Sequence, residues 1–235
     1  MKNLEKIWNS KLSSNSFRRL DTLIIEECDK LVFIFPCYVG RMFQSLCNLR
    51  VTNCKSLKAL FNLDDKKRHS REVTNLKDIY LETLPKLEHV WNWGKDQNGI
   101  LELKSLQKLW VCDCQSLENI FPVSVARRFH SLENLVIWDC CQLREIVAKR
   151  EGIKRDISFD FPNLTTIKFS ELPSLTCFCP GEYKFNFPIL NDLSIELCDR
   201  LEPFRKETRD AQTSSTLFSE EVPVSLYPLL RNFST

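Results

Sequence analysis

Glycine is scarce in this sequence, with five residues among 235. The loops that wrap the phosphates of nucleotides depend on glycine, and neither the P-loop pattern nor the dinucleotide-binding glycine pattern occurs. A strong charge of one sign is also missing, because 33 basic and 31 acidic residues leave a net charge of +2. A chain this close to neutral has no strong field to attract nucleic acid or an anionic membrane, so neither is predicted as a partner.

Long apolar runs are absent as well. No stretch of 18 apolar residues exists, which predicts a chain without a membrane span. The opening residues MKNLEKIWNS lack the apolar segment of a signal peptide. The 11 cysteines are odd in number, and without a secretion signal we expect them to be reduced thiols in a cytoplasmic protein.

In place of these features the sequence carries an internal repeat. One unit reads Phe17-x-x-Leu20-x-x-Leu23-x-Ile25-x-x-Cys28-x-x-Leu31, where x is any residue. The same spacing begins again at Phe43, Leu103, Phe129 and Phe187. Two variant units, starting at Val73 and Phe161, lack the cysteine and continue into a Leu-Pro-x-Leu turn. The step from 17 to 43, from 103 to 129 and from 161 to 187 is 26 residues, and the sequence predicts seven stacked units.

This pattern is typical of a leucine-rich-repeat solenoid, an α/β fold. Alternate residues of a strand face opposite sides, so Leu23 and Ile25 should point inward while Ile24 points outward. One unit cannot bury its own leucines, and stacking units side by side builds a shared core and a curved parallel sheet on the concave side. On the convex side we expect loops and short helical turns, such as one from Val123 to Arg128.

The repeated cysteine should lie inside this fold. A reduced thiol behaves as a compact apolar group and a weak hydrogen-bond donor. We therefore expect an interior ladder of thiols that donate to turn carbonyls, formed by Cys28, Cys54, Cys114, Cys140 and Cys198.

The repeats also set the expected organisation of the chain. It divides into a partial repeat at 1–16, seven repeats over 17–204 with charged insertions at 62–72 and 148–160, and a mobile tail at 205–235. The insertions are expected to be surface loops. Leu4 to Trp8 matches the end of a variant unit at Leu87 to Trp91, and this partial unit leads us to expect a piece of a longer array.

A catalytic site is not predicted. No nucleophile, base and oxyanion-stabilising group can be assembled from motifs, and the three histidines fall at unrelated repeat positions. Zinc sites usually combine pairs of cysteines separated by two to four residues, which Cys112-x-Cys114 and Cys177-x-Cys179 are not. We expect no enzyme activity, no metal and no cofactor.

The outward face of the concave sheet holds the remaining candidates. Tyr80, Trp110 and Trp138 should lie close together at its centre, flanked by carboxylates. Aromatic rings on an exposed sheet with a charged rim are typical of an interface hot spot. They could bind a separate protein, dock another domain of a parent chain, or only stiffen the sheet. The predicted site consists of Arg50, Tyr80, Glu82, Trp110, Asp113, Trp138, Asp139 and Lys168.

Three phrases carry a resemblance to a known family. They are SLENIFP at Ser116 to Pro122, LPKLEHVW at Leu84 to Trp91, and FPNLTTIKFSELPSL at Phe161 to Leu175. With the alternating cysteine and proline units around them, they resemble the C-terminal repeat region of plant disease-resistance proteins. These proteins are the coiled-coil class of intracellular nucleotide-binding leucine-rich-repeat receptors. The resemblance covers about residues 1 to 204.

This resemblance implies a sensor module. In that family the repeats bind or monitor pathogen effectors or a guarded host protein, and they hold the nucleotide-binding domain closed until triggered. The switch domain and coiled coil are missing from this sequence, so the chain is not expected to bind ATP or signal by itself. The alternative is the substrate-recognition array of an F-box ubiquitin ligase, whose return segments usually read Ile-Thr-Asp-x-Gly-Leu where this chain has Ile-Phe-Pro at Ile120 to Pro122.

Overall fold

Each predicted unit places a five-residue β-strand at the position the repeat assigns to it. The computed structural model describes residues 3–7, 17–35, 43–62, 71–92, 100–148, 157–181 and 183–202. The predicted tail at 205–235 lies outside these residues, as do most of the two charged insertions. In chain order the elements are β1 (Thr22–Glu26), β2 (Phe33–Phe35), β3 (Asn48–Thr52), β4 (Ala59–Asn62), β5 (Arg71–Val73), β6 (Asp78–Glu82), β7 (His89–Asn92), β8 (Ile100–Glu102), β9 (Lys108–Cys112), β10 (Asn119–Pro122), α1 (Val123–Ala126), β11 (Asn134–Trp138), β12 (Glu145–Ala148), β13 (Ile157–Asp160), β14 (Thr166–Ser170), β15 (Tyr183–Asn186) and β16 (Asp192–Glu196).

One parallel sheet runs through all seven units and confirms the predicted leucine-rich-repeat architecture. Its strand order is β1-β3-β6-β9-β11-β14-β16, and every neighbouring pair is in register. The side chains alternate as expected: in β9, Leu109 and Val111 are fully buried while Trp110 between them is partly exposed. Because units stack without a slip in register, equivalent outward-facing residues form straight rows across the sheet.

The residue that follows each of these strands has a left-handed backbone. The φ angles are all between 49° and 56°, and the residues are Glu27, Asn53, Thr83, Asp113, Asp139, Glu171 and Leu197. None of them is glycine, although this region is sterically costly for other residues. The N–H of the turn residue itself points to the neighbouring unit: that of Asn53 donates to the carbonyl of Glu82 at 3.1 Å, and that of Thr83 to the carbonyl of Cys112 at 3.1 Å. The repeated turn therefore links each unit to the next.

The cysteine ladder is confirmed. Each repeat thiol donates to the carbonyl two residues before it, at 3.3 to 3.5 Å. Four of these five cysteines are buried and the last, Cys198, is half-buried. In the two variant units, Leu84 and Leu172 occupy the same position and are fully buried. The leucine therefore replaces the cysteine as core filler while the chain keeps the same turn.

The convex side differs from the expectation of loops and helical turns. The helical turn predicted after residue 122 is present as α1, but the other described return segments are mostly short parallel strands. They form the sheets β2-β4-β7, β10-β12, β5-β8 and β13-β15. Strand β5 begins with the last two residues of the first predicted insertion, and β13 consists of the last four residues of the second. Within the described ranges α1 is the only helix, and its four residues are far too few to cross a bilayer.

A column of aromatic side chains explains these return strands. Phe35, Phe61, Trp91 and Phe121 follow one another in neighbouring units, with ring-centroid distances of 5.0, 6.1 and 5.4 Å. All four are buried. Large rings pack well on a pleated surface and poorly against a tight helical turn, so the aromatic residues favour an extended return path.

Candidate functional site

The outward face of the seven-stranded sheet carries a continuous stripe of four side chains, which we call the concave stripe: Arg50, Tyr80, Trp110 and Trp138. The Arg50 guanidinium carbon lies 4.7 Å from the centre of the Tyr80 ring. The Tyr80 and Trp110 ring centres are 5.9 Å apart with planes tilted by 41°. Trp110 and Trp138 are 6.3 Å apart at 70°, an edge-to-face pair. The structure thus brings together the three aromatic residues that the sequence placed at the centre of this face.

Strand register produces this stripe. Arg50, Tyr80 and Trp110 are direct partners across β3, β6 and β9. On β11 the direct partner of Trp110 is Val136, and Trp138 lies two residues farther along, opposite Cys112. The contact between the two tryptophans is therefore diagonal, which large aromatic side chains can reach.

Tyr80 is held within this stripe by a neighbour on its own strand. Its hydroxyl donates to Glu82 Oε2 at 3.0 Å. Burial of the ring raises the pKa of Tyr80, and the adjacent negative charge of Glu82 raises it further. The phenol therefore stays a protonated hydrogen-bond donor, and Glu82 serves to orient it.

Two carboxylates lie beside the tryptophans at the ends of their strands. Asp113 follows β9 and Asp139 follows β11, both in the left-handed turn. A single amide nitrogen, Gln115 Nε2, donates to Asp113 Oδ1 at 3.0 Å and to Asp139 Oδ1 at 3.1 Å, so these two oxygens are at most about 6 Å apart. Among the described residues no basic group lies within ion-pair distance of either carboxylate. Two negative charges are thus held side by side by a neutral amide.

Burial and these acids also raise the pKa of the Cys112 thiol, at the end of β9. Cys112 is 8% exposed, and its pKa is raised, first by burial and then by the charge of Glu82. Asp113 and Asp139 contribute in the same direction. The thiol therefore remains neutral and behaves as a buried apolar group near the carboxylates.

Lys168 forms its ion pair with a residue outside the concave stripe. It occupies the predicted row, opposite Val136, but its Nζ forms an ion pair with Asp192 on the next strand at 2.8 Å. Its charge is thereby compensated within the sheet. Of the eight predicted site residues, seven form two linked groups: the stripe with Glu82, and the carboxylate pair Asp113 and Asp139.

Sequence reasoning missed Gln115, which holds the two aspartates together. Its only signal is a position two residues after Asp113, directly after the repeat cysteine. His89 and His130 are exposed and belong to different parts of the repeat, while His69 lies outside the described residues. Across the described ranges, no three side chains among histidine, cysteine, aspartate and glutamate come together as metal ligands would.

These observations define a class of protein: a leucine-rich-repeat solenoid with a stripe of partly exposed aromatic side chains on the outward face of its sheet. Residues 1–141 match the leucine-rich repeats described as plant disease resistance protein RPS2-like. The match covers more than half of the chain, so the chain belongs to that family of repeats.

A known relative agrees with this assignment. A candidate disease resistance protein of Arabidopsis thaliana, At4g19050, is 25% identical over 174 residues. The aligned segment covers 74% of this chain and 13% of the Arabidopsis protein, so the chain spans a small part of the length of that relative. No solved structure is significantly similar to the chain.

Proposed function

We propose that this chain is a non-enzymatic protein-recognition module of a plant disease-resistance receptor, acting in the cytoplasm. Its partner is a protein: a pathogen effector, a guarded host protein, or the nucleotide-binding domain of the receptor. In the resting state the repeats contact that domain and favour its closed form. Membership of the RPS2-like repeat family supports the resistance setting, and the concave stripe supports the protein contact.

The concave stripe is the observation that carries this proposal. Tyr80, Trp110 and Trp138 form an aromatic path across three units on a face that the described residues leave open. Aromatic rings and arginine are the residues most enriched at the energetic centres of protein interfaces. The rings are also pre-organised, because Arg50 and Glu82 hold Tyr80 from two sides. Ordered side chains lose little entropy when a partner covers them.

The mechanism follows from competition for one surface. A receptor that alternates between a closed and an open form is shifted by any ligand that binds the two forms with different affinity. If the stripe contacts the closed form, then an effector that needs the same stripe is bound only by the open form. A shift from 1% to 99% open requires about 5.5 kcal/mol of differential affinity, which an interface with several aromatic anchors can supply.

The test is a double substitution, Trp110→Ala with Trp138→Ala, in a receptor that carries this repeat sequence. Both rings are on the outward face and partly exposed, so we expect the fold to survive their removal. We expect either cell death without a pathogen, from lost inhibition, or a lost response to the pathogen. Transient expression in leaves, scored by ion leakage, measures both outcomes.

A control variant lies in the same row of the sheet. Ile24 is 61% exposed and sits on β1, beside Arg50 but two strands away from Tyr80, the first of the three rings, so Ile24→Ala should change neither behaviour. If the tryptophan variant accumulates normally and both its resting state and its response equal those of the unchanged receptor, the stripe has no role in recognition.

A further inference from the structure

The part of the concave sheet around the two tryptophans differs from the part around Tyr80 in one respect. The Tyr80 ring is already covered by a cation from its own chain, the guanidinium of Arg50 at 4.7 Å. In the described residues no cation lies over Trp110 or Trp138. Tryptophan has the aromatic face that attracts cations most strongly, so the better sites are the ones left open.

The charge nearby has the matching sign. Asp113 and Asp139 lie at the ends of the two strands that carry the tryptophans, with facing oxygens at most about 6 Å apart because Gln115 donates to each, at 3.0 and 3.1 Å. Neither carboxylate has a basic partner among the described residues. A cation bound between them would relieve their mutual repulsion and keep the hydrogen bonds from Gln115.

The two described cations in the same row of the sheet as Trp110 are already engaged or remote. Arg50 covers Tyr80. Arg50 lies three strands away from Trp138, which is roughly 14 Å at the usual strand spacing. Lys168 is on the adjacent strand, but its ion pair with Asp192 at 2.8 Å compensates its charge. Neither Arg50 nor Lys168 therefore supplies a positive charge between the tryptophans and the aspartates, and this position is open to a cation from a partner.

The geometry points to an arginine side chain on the partner protein as the occupant of this site, stacked on Trp110 or Trp138 and paired with Asp113 and Asp139. Arginine fits better than lysine for two reasons. Its flat guanidinium stacks on an aromatic ring, and its fork of N–H donors can serve two carboxylate oxygens at once. The two indoles meet edge to face at 70°, so their faces point in different directions. This inference rests on the proposed function, since it names what the stripe recognises.

An unbiased selection tests it without knowledge of the natural partner. A phage library of random twelve-residue peptides is panned on the full 235-residue chain and, in parallel, on the Trp110→Ala, Trp138→Ala chain. Peptides lost in the second panning depend on the stripe. We expect arginine to be enriched in these peptides several-fold over its frequency in the library, and lysine to be enriched less.

Two matched changes then locate the arginine. In the strongest peptide, arginine is replaced by citrulline, which keeps the shape and removes the charge, and we expect about tenfold weaker binding. On the Asp113→Asn, Asp139→Asn chain the same replacement should change binding less than twofold. Asparagine tolerates the left-handed turn and still accepts from Gln115, so the fold is preserved, as a thermal melt would verify. Glu27→Gln is the control, because Glu27 has the same turn and charge at the far end of the sheet.

The outcomes separate the two proposals. Stripe-dependent peptides without arginine, or an equal citrulline effect on the wild-type and the aspartate variants, would overturn the arginine site and leave the stripe as a recognition surface. Failure to obtain any stripe-dependent peptide would count against both.

Discussion

The middle and the last units of the solenoid share one sequence pattern but differ in burial. In the middle unit Leu109, Val111, Cys114 and Leu117 are all 0% exposed. In the last unit the equivalent positions are Leu193, Ile195, Cys198 and Leu201, and all are only partly buried. The backbone is the same in both, including the left-handed turn at Asp113 and at Leu197.

This difference shows that the motif alone does not bury its leucines. Strand β9 has β6 on one side and β11 on the other, whereas β16 pairs with β14 and with no second strand among the described residues. Stability in a stacked array comes from the units and from the interfaces between neighbours. The last unit, with one neighbouring strand, therefore keeps its shape but leaves its apolar side chains partly exposed.

The largest expected effect is a difference between two identical substitutions. Leu109→Ala should lower the free energy of unfolding by about 3 to 4 kcal/mol, since it opens a cavity in a fully enclosed site. Leu193→Ala should cost only about 1 kcal/mol, because its site is partly open to water and can collapse. Urea denaturation followed by far-UV circular dichroism measures both. Equal costs would mean that burial in the last unit matches the middle one in solution.

The next largest expected effect is a loss of unfolding free energy at high pH, caused by titration of a buried cysteine thiol. Cys54 is fully buried, and burial raises its pKa from the ordinary 9.0 to about 11. The unfolded chain therefore loses this proton first, so the contribution of Cys54 to stability is complete below pH 9 and declines between pH 9 and 11. The expected loss by pH 11 is about 2 kcal/mol.

Substitution isolates this contribution from the other groups that titrate in alkali. The fall in unfolding free energy from pH 8.5 to 11 should be smaller for Cys54→Ala than for the unchanged chain. Cys198 is half-buried, and its pKa is raised too, chiefly by burial, so Cys198→Ala should flatten the profile less. Identical profiles for all three chains would contradict a buried, protonated Cys54.

Much of this fold could be predicted from the sequence because stacking repeats leave few choices. The leucine spacing fixed which residues face inward, and the recurrence of the same motif positions in every unit fixed the register, so the placement of Tyr80, Trp110 and Trp138 on one face followed directly. The helical turn after Pro122 was also predicted, since proline at this position prevents a longer helix from running through it, and the turn begins at the next residue, Val123.

The parts that could not be predicted depend on side-chain packing between units. The return strands have three or four residues, too few for a periodic signal, and the aromatic column of Phe35, Phe61 and Trp91 that extends them becomes visible only when units are stacked. Lys168 was assigned correctly to its row, but its choice of Asp192 as partner depends on rotamers. The left-handed turn was missed because no glycine marks it.

The smallest expected effect concerns that turn. Thr83 is β-branched and has φ of 52°, a conformation that asparagine adopts more easily. Its N–H donates to the carbonyl of Cys112 at 3.1 Å, so neighbouring units on both sides hold the turn in place. We expect Thr83→Asn to raise the free energy of unfolding by about 0.5 to 1 kcal/mol, measured as a shift in the urea midpoint.

The last unit again provides the comparison. Leu197 has the same φ of 52° and is 67% exposed, so Leu197→Asn removes little packing. Because no described strand lies beyond β16 to accept its N–H, this turn opens when the last unit frays, and the gain should be at most about 0.3 kcal/mol. Thr22→Asn, in the extended strand β1, is the control and should be mildly destabilising. If Thr83→Asn is destabilising like Thr22→Asn, the turn is not strained, and contacts between units select it without local cost.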